Sequence, residues 1–191
     1  MDQPTIFLIT IAVVAVLVVA VGAFALSQRR RQHLREHFGP EYQRLLSEQG
    51  DRGRAERILS QREERVKKLD IRPLPDTARE QFLLGWRKVQ TRFVDDPRGA
   101  VADADDLIGQ AMEARGYPVG DFEQRAADVS VEHPQLVIDY RMAHEIARRQ
   151  KDVTTEDLRQ AMVRYRSLFA ELVGEGPPTE EPAEEREEMK R

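Results

Sequence analysis

The chain has 191 residues, enough for one membrane segment and one domain of ordinary size, and its formal net charge is −4. Charged residues make up 34% of the sequence and aromatic residues 6%, a balance that favours a helical domain rich in ion pairs over a strand-rich one. The sequence contains no cysteine, which excludes disulfides, thiolate nucleophiles and cysteine-bound metals.

The first predicted element is an apolar helix. Residues 5–26 carry no charged side chain, and as a helix they would extend about 33 Å, which is enough to cross a hydrocarbon core about 30 Å thick. A cleaved signal peptide is the competing interpretation, because Ala23-Phe24-Ala25 is similar to a small-x-small cleavage site. The start MDQPT lacks a basic region and the apolar run is long for a signal peptide. We therefore predict a retained transmembrane helix over 5–26.

A basic section follows the apolar stretch. Residues 29–72 hold 13 basic and 8 acidic side chains, and Gly39-Pro40 interrupts the helical pattern within them. The basic residues nearest to the predicted membrane helix are Arg29, Arg30, Arg31 and Arg35. Because arginines beside a membrane segment favour the cytoplasmic side, we predict an outside amino terminus, a basic helical arm over 27–72 and a cytoplasmic domain. The four arginines are also the predicted contacts to anionic lipid headgroups, although a topology signal alone would explain them.

The distal part of the chain, residues 73–173, shows helical periodicity. Apolar residues in its first long segment recur at i, i+4, i+7 and i+11, and they are Phe82, Trp86, Val89 and Phe93. Sustained alternation of polar and apolar residues, which would indicate strands, is absent from the sequence. We predict an all-α fold with a helical bundle domain over 73–173. A disordered acidic tail over 174–191 follows, because proline, glycine and glutamate replace apolar residues there.

Local signals predict where the distal helices begin and end. Asp96 and Pro97 are typical of an N-cap and a first helical residue, and Gly116 is typical of the end of the same helix. The start signals further along the chain are Asp121, Pro134 and a Thr154–Asp157 capping box. These signals give the polar residues of the stretch 115–134 an ordinary use as joints between helices.

Motifs that carry chemistry are sparse. His33 and His37 are spaced so that a helix could present both to one metal, but a third ligand is not evident. The aspartates near 95–106 would suit magnesium, yet a phosphate loop or basic clamp does not accompany them. GxSxG, Walker and GxGxxG motifs are absent. We therefore predict no catalytic residue, no cofactor and no metal site, and we expect a protein that is not an enzyme.

The charge distribution argues against nucleic acid as a partner. Residues 29–173 hold 27 basic and 26 acidic side chains, a net charge of only +1. A general nucleic-acid binder carries a strongly basic face. We therefore predict membrane lipid and a protein partner, or a second copy of the chain, instead.

Five stretches resemble a widespread group of bacterial proteins without an assigned activity. They are FGPEY at 38–42, RFVDDP at 92–97, RGYP at 115–118, DFEQRAADVSVEHP at 121–134 and TEDLRQAMVRYRSLF at 155–169. The resemblance implies a bacterial protein with one amino-terminal membrane helix and a helical soluble domain. It transfers no catalytic residue. Some members of this group are labelled secreted, whereas the arginines after the apolar stretch favour the inner membrane with a cytoplasmic domain.

Two functions fit these observations. The first is a single-pass, membrane-anchored helical adaptor or scaffold that binds another protein or itself at the cytoplasmic face of a bacterial inner membrane. The second is a membrane-tethered enzyme or small-ligand-binding domain that uses polar residues of the 95–144 region. Its candidate residues are Asp103, Asp106, Tyr117, His133 and His144. Convergence of these side chains in one pocket would support the second function.

Overall fold

A computed structural model describes residues 3–149 and 152–174, with side chains described from residue 16 onward. All regular secondary structure in this part of the chain is helical, which confirms the all-α prediction. The helices are α1 Gln3–Gln49, α2 Arg52–Val66, α3 Asp76–Asp95, α4 Pro97–Arg115, α5 Phe122–Glu132, α6 Leu136–Arg148 and α7 Thr155–Val173. The chain divides into two compact units, residues 1–60 and residues 61–191. Beyond residue 174, the predicted acidic tail lies outside the described residues.

In the first unit, α1 is a long helix with a kink at Gly39. Gly39 has φ 44° and ψ −114°, and Pro40 follows it, so the predicted interruption at this pair is confirmed. A positive φ suits glycine because it has no Cβ atom, and proline lacks the N–H that would continue the helical hydrogen bonds. Buried apolar residues of this unit recur at helical spacing, and they are Leu34, Phe38, Tyr42, Leu45, Ala55 and Leu59.

The predicted transmembrane segment over 5–26 lies in the first part of α1. The side chains of residues 3–15 are outside the described part of the structure, so the segment is described only in part. Among the described residues, none of the helices combines the length and the apolar content needed to span a membrane. Within 16–26, seven large apolar side chains have exposed fractions between 58% and 71%.

The second unit is a helical bundle built around α4 and α7. These two helices pack against each other, while α3 packs on α4, α6 packs on α7, and α5 packs on α6. Apolar residues recur at helical spacing along α7 and are all buried, namely Leu158, Ala161, Met162, Tyr165, Leu168, Phe169 and Leu172. The prediction of a helical bundle is therefore confirmed.

The ends of α4 and α7 follow from their capping residues. The Asp96 side chain accepts a hydrogen bond from the Gly99 N–H at 2.9 Å, and Gly116 ends α4 with φ 103°. A Cβ atom at Gly116 would lie 2.4 Å from the carbonyl oxygen of Asp70, so the close approach of the connector also requires glycine here. At the start of α7, the reciprocal hydrogen bonds between Thr154 and Asp157 form the predicted capping box.

The start of α6 differs from the prediction. α6 begins at Leu136, whereas the sequence predicts its start at Pro134. Pro134 and Gln135 form a turn instead, and the carbonyl oxygen of His133 accepts hydrogen bonds from the N–H groups of Leu136 and Val137 at 3.1 and 3.2 Å. Proline fixes its own φ angle but does not require the next residue to be helical, so the turn displaces the start of the helix.

Candidate functional site

A cleft of about 1130 Å³ in the first unit lies beside the kink of α1. Its charged lining consists of Arg31, Arg35, Glu36, Arg52 and Glu56, which gives a formal charge of +1. Arg31 and Arg35 lie one helical turn apart on α1 and therefore share a face, whereas Arg52 is the first residue of α2. The cleft thus combines basic side chains from two helices.

Glu56 connects α2 to α1 at the wall of this cleft. The Tyr42 hydroxyl donates a hydrogen bond to Glu56 Oε1 at 3.1 Å, and Arg31 Nε lies 3.5 Å from Glu56 Oε2. Burial and the Glu56 carboxylate raise the pKa of Tyr42, while the charges of Arg52 and Arg35 lower it in part. The phenol therefore stays protonated at neutral pH and serves as a hydrogen-bond donor.

Arg31 has an unused donor in this arrangement. Its Nε is buried and makes no hydrogen bond within the described part of the structure, because the distance to Glu56 exceeds normal hydrogen-bond length. A buried donor without an acceptor is unfavourable. A guanidinium group presents N–H donors in a planar fork that matches carboxylate and phosphate oxygens. The cleft is therefore chemically suited to an oxyanion.

The two histidines of α1 stack on each other. The ring centroids of His33 and His37 lie 5.6 Å apart with an interplanar angle of 14°, and the His37 ring also contacts the edge of Phe38. Residues 3–149 and 152–174 contain no group of three or more histidine, aspartate or glutamate side chains placed to hold a metal ion. The i, i+4 spacing of His33 and His37 thus brings their two rings into contact with each other.

In the second unit, a mostly buried polar cluster surrounds Asp105. Asp105 Oδ2 lies 3.2 Å from Arg125 Nη2 and 3.5 Å from His144 Nδ1. The charge of Asp105 helps to raise the pKa values of the buried Tyr140 and Tyr165 hydroxyls, although neither hydroxyl makes a direct hydrogen bond. The cluster therefore joins α4, α5, α6 and α7 around one carboxylate.

The protonation states in this cluster follow from burial and charge. Burial alone would raise the pKa of Asp105, but the contact with His144 and the charge of Arg125 outweigh it, so the pKa of this carboxyl lies below its usual range. Burial, together with the charge of Asp105, raises the pKa values of Tyr140 and Tyr165. At neutral pH the cluster therefore holds an ionised carboxylate, a balancing guanidinium and two neutral phenols.

Tyr117 and His133 meet at Glu132. The Tyr117 hydroxyl donates to Glu132 Oε2 at 2.5 Å, His133 Nε2 lies 3.8 Å from the same oxygen, and His133 Nδ1 lies 3.6 Å from Glu171 Oε1. Burial lowers the pKa of His133, and Arg115 adds to this effect, while Glu171 and Glu132 raise the pKa in part. These contacts connect the loop after α4 to α5 and α7, as expected of a joint between helices.

The two candidate aspartates of α4 lie toward the surface. Asp103 forms an ion pair with Arg92 at 2.6 Å, and Arg92 also pairs with Asp96 at 2.6 Å. Asp106 is exposed. The five residues of the enzyme or small-ligand hypothesis thus belong to separate places: Asp103 and Asp106 on the surface of α4, Tyr117 and His133 at Glu132, and His144 at Asp105.

Two of the four predicted lipid-contact residues, Arg31 and Arg35, line the cleft, whereas Arg29 and Arg30 are exposed and are not among its lining residues. Tyr42, Arg52 and Glu56 were not predicted as site residues. Arg52 is separated from Arg35 by the kink and a turn, and residue spacing along one helix gives no signal for such a partner.

The chain matches no protein-family model, no curated protein and no solved structure.

Proposed function

We propose that the protein is a single-pass, membrane-anchored helical adaptor or scaffold at the cytoplasmic face of a bacterial inner membrane. The proposal depends on the seven large apolar side chains within 16–26, each more than half exposed. A helix that is apolar on all sides requires apolar surroundings, and a bilayer provides them. Arg29, Arg30 and Arg31 follow directly and favour a cytoplasmic location for the rest of the chain.

A groove between α3 and α7 supports the proposed binding of a protein partner. This groove of about 210 Å³ is lined by Trp86, Phe93 and Met162, and Arg166 is also among its lining residues. Small apolar pockets that contain an aromatic side chain are typical anchor sites in protein interfaces. The arginine favours a partner segment with an apolar anchor residue next to an acidic one.

The alternative, a membrane-tethered enzyme or small-ligand-binding domain in the 95–144 region, requires its candidate side chains in one pocket. Those side chains have separate partners: Asp103 pairs with Arg92, Tyr117 and His133 with Glu132, and His144 with Asp105. The adaptor is therefore the function that we propose.

Membrane fractionation tests the anchor. The double change Val18→Arg and Val19→Arg should shift the full chain from the membrane fraction to the soluble fraction, because each arginine near the helix centre opposes insertion by about 3 kcal/mol. Val94→Arg, at an exposed position of α3 that does not line the groove, is the control and should leave the chain in the membrane fraction. A reporter fused after Arg191 should be active on the cytoplasmic side. The proposal would be contradicted if the two variants were found in the same fraction, or if the reporter were active only on the outer side of the membrane.

Crosslinking tests the interaction role. In crosslinked membranes, Phe93→Asp should reduce the yield of one reproducible partner, or of a dimer of the chain, at least about tenfold, since it places a charge in an apolar anchor site. Val119→Asp changes a residue that is 79% exposed and does not line the groove, and it is the matched control. An unchanged product in Phe93→Asp would rule out the groove as the interface.

A further inference from the structure

We propose that the cleft of the first unit binds a phosphate group, as carried by the headgroup of an anionic phospholipid or by a free phosphate. The assignment to a lipid source rests on the proposed membrane anchor, whereas the phosphate site itself does not. Three arginines, Arg31, Arg35 and Arg52, supply the positive charge of the site.

The first argument is the balance of charge and donors. Three guanidinium groups line the cleft against two carboxylates, Glu36 and Glu56. Glu56 is already engaged, because it accepts from the Tyr42 hydroxyl and contacts Arg31 Nε. Phosphate oxygens require positive charge and hydrogen-bond donors at their binding site. Arginine supplies both, because it binds phosphate through two parallel N–H donors.

The second argument is the way in which Tyr42 and Glu56 hold the site together. The hydrogen bond of 3.1 Å between them joins α1 to α2 beside the arginines. Arg35, Tyr42 and Arg52 line the same cleft although they come from different helices. Tyr42 and Glu56 are therefore positioning residues that bring Arg52 to the arginines of α1.

The third argument is the distance from the apolar segment. Arg31 follows Leu26 by five residues of continuous helix, which corresponds to about 7.5 Å along the axis. The headgroup layer on each side of a bilayer is of similar thickness, on the order of 5–8 Å. The cleft of about 1130 Å³ has room for a complete headgroup in addition to its phosphate. In a chain anchored through 5–26, the cleft would thus lie at headgroup level.

The experiment compares two variants that each lose one positive charge. Arg52→Gln removes a cleft arginine, and Arg30→Gln removes an exposed arginine that does not line the cleft and lies nearer to the apolar segment. The full chain in neutral detergent is titrated by calorimetry with inorganic phosphate and with short-chain phosphatidylglycerol. Arg52→Gln should weaken binding about tenfold, as expected for loss of a charge-assisted hydrogen-bond donor, while Arg30→Gln should change it less than about twofold.

The outcomes separate a built site from diffuse attraction. Diffuse attraction to basic residues would make Arg30→Gln at least as harmful as Arg52→Gln, and that result would overturn the proposal, as would binding of neither probe. Tighter binding of phosphatidylglycerol identifies the lipid source, and tighter binding of inorganic phosphate identifies the free anion. Because both titrations take place in detergent, a chain that fails to localise to membranes but binds phosphate would contradict only the proposed function.

Discussion

The apolar residues of α1 and of α7 differ in their exposure to solvent. Within 16–26 of α1 the large apolar side chains are more than half exposed, whereas seven apolar residues along α7 are all at least 92% buried. The sequence explains this difference in exposure. α7 has apolar residues on one face and charged residues on the other, whereas residues 16–26 contain no charged side chain. α7 buries its apolar face within the chain, whereas the large apolar side chains of 16–26 are exposed.

The charged residues of the two units differ in a related way. In the second unit, Asp105 lies 3.2 Å from Arg125 and 3.5 Å from His144, and all three side chains belong to the bundle. In the first unit, Arg31, Arg35 and Arg52 outnumber the two carboxylates in the lining of the cleft. A mostly buried ion pair is typical of structural polar groups, whereas an excess of arginines at a cleft is the feature on which the proposed phosphate site depends. We therefore propose a structural role for the Asp105 cluster, in contrast to the phosphate-binding role proposed for the cleft.

Phe169→Ala should have the largest effect on the second unit. Phe169 is 1% exposed and stacks on Trp86 with ring centroids 4.6 Å apart. Removing the ring leaves a cavity, which should lower the free energy of unfolding by about 3–5 kcal/mol. Urea unfolding of the full chain, followed by the fluorescence of its single tryptophan, measures this change.

Val163→Ala is the matched control on the same helix, because Val163 is 55% exposed. Its free energy of unfolding should stay within about 0.5 kcal/mol of the parent value. If the two substitutions had equal effects, the contrast between a buried face of α7 and its exposed face would be lost.

Capping signals and periodicity predict much of the bundle from sequence. The bounds of α4 agree with the prediction at both ends because Asp96 caps its start and Gly116 adopts positive φ at its end. Both signals depend on a few neighbouring residues, so tertiary contacts do not alter them. Pro134 is less specific, since a turn uses its fixed φ equally well, and α6 starts two residues later than predicted.

Buried polar residues are the part that the sequence does not predict. Glu41, Arg62 and Asp128 have exposed fractions of 0%, 8% and 1%, although a charged residue is expected on a solvated face. Asp128 is buried because Arg65 pairs with it from 63 positions away in the sequence. Hydrophobic periodicity contains no information on such distant pairs. For the same reason, Arg52 was not predicted as part of the cleft.

Asp105→Ala should have a moderate effect on stability. The substitution leaves Arg125 without its carboxylate partner while its side chain is 19% exposed. An uncompensated, mostly buried guanidinium should lower the free energy of unfolding by roughly 2 kcal/mol, below the range for fully buried pairs because water partly screens this site. The neighbouring Asp106→Ala, at an exposed position, should change it by less than about 0.5 kcal/mol. Equal decreases in the free energy of unfolding of the two variants would show that the Asp105 cluster does not stabilise the bundle.

The smallest expected effect concerns the pH dependence of stability at His133. Burial first, and then Arg115, lower the pKa of His133 below its unfolded value, while Glu171 and Glu132 raise it in part. The unfolded state therefore binds more protons than the folded state at acidic pH. The contribution of neutral His133 is complete above the unfolded pKa of about 6.5 and is lost as the pH falls toward the lower folded pKa. His133→Gln should remove this loss, so its urea midpoint should fall less than that of the parent chain between about pH 7.5 and about pH 5.

Glu171→Gln gives the opposite change at the same histidine. Glu171 Oε1 lies 3.6 Å from His133 Nδ1 and partly offsets the effect of burial, so removal of its charge should lower the pKa of His133 further. The acid-induced loss of stability should then be larger in Glu171→Gln than in the parent chain and smallest in His133→Gln. Equal losses of stability on acidification in all three proteins would contradict the prediction. They would show that burial of His133 between α5 and α7 does not lower its pKa. The mostly buried contacts of His133 in the second unit should therefore respond to pH, whereas the proposed phosphate cleft of the first unit should respond to added anions.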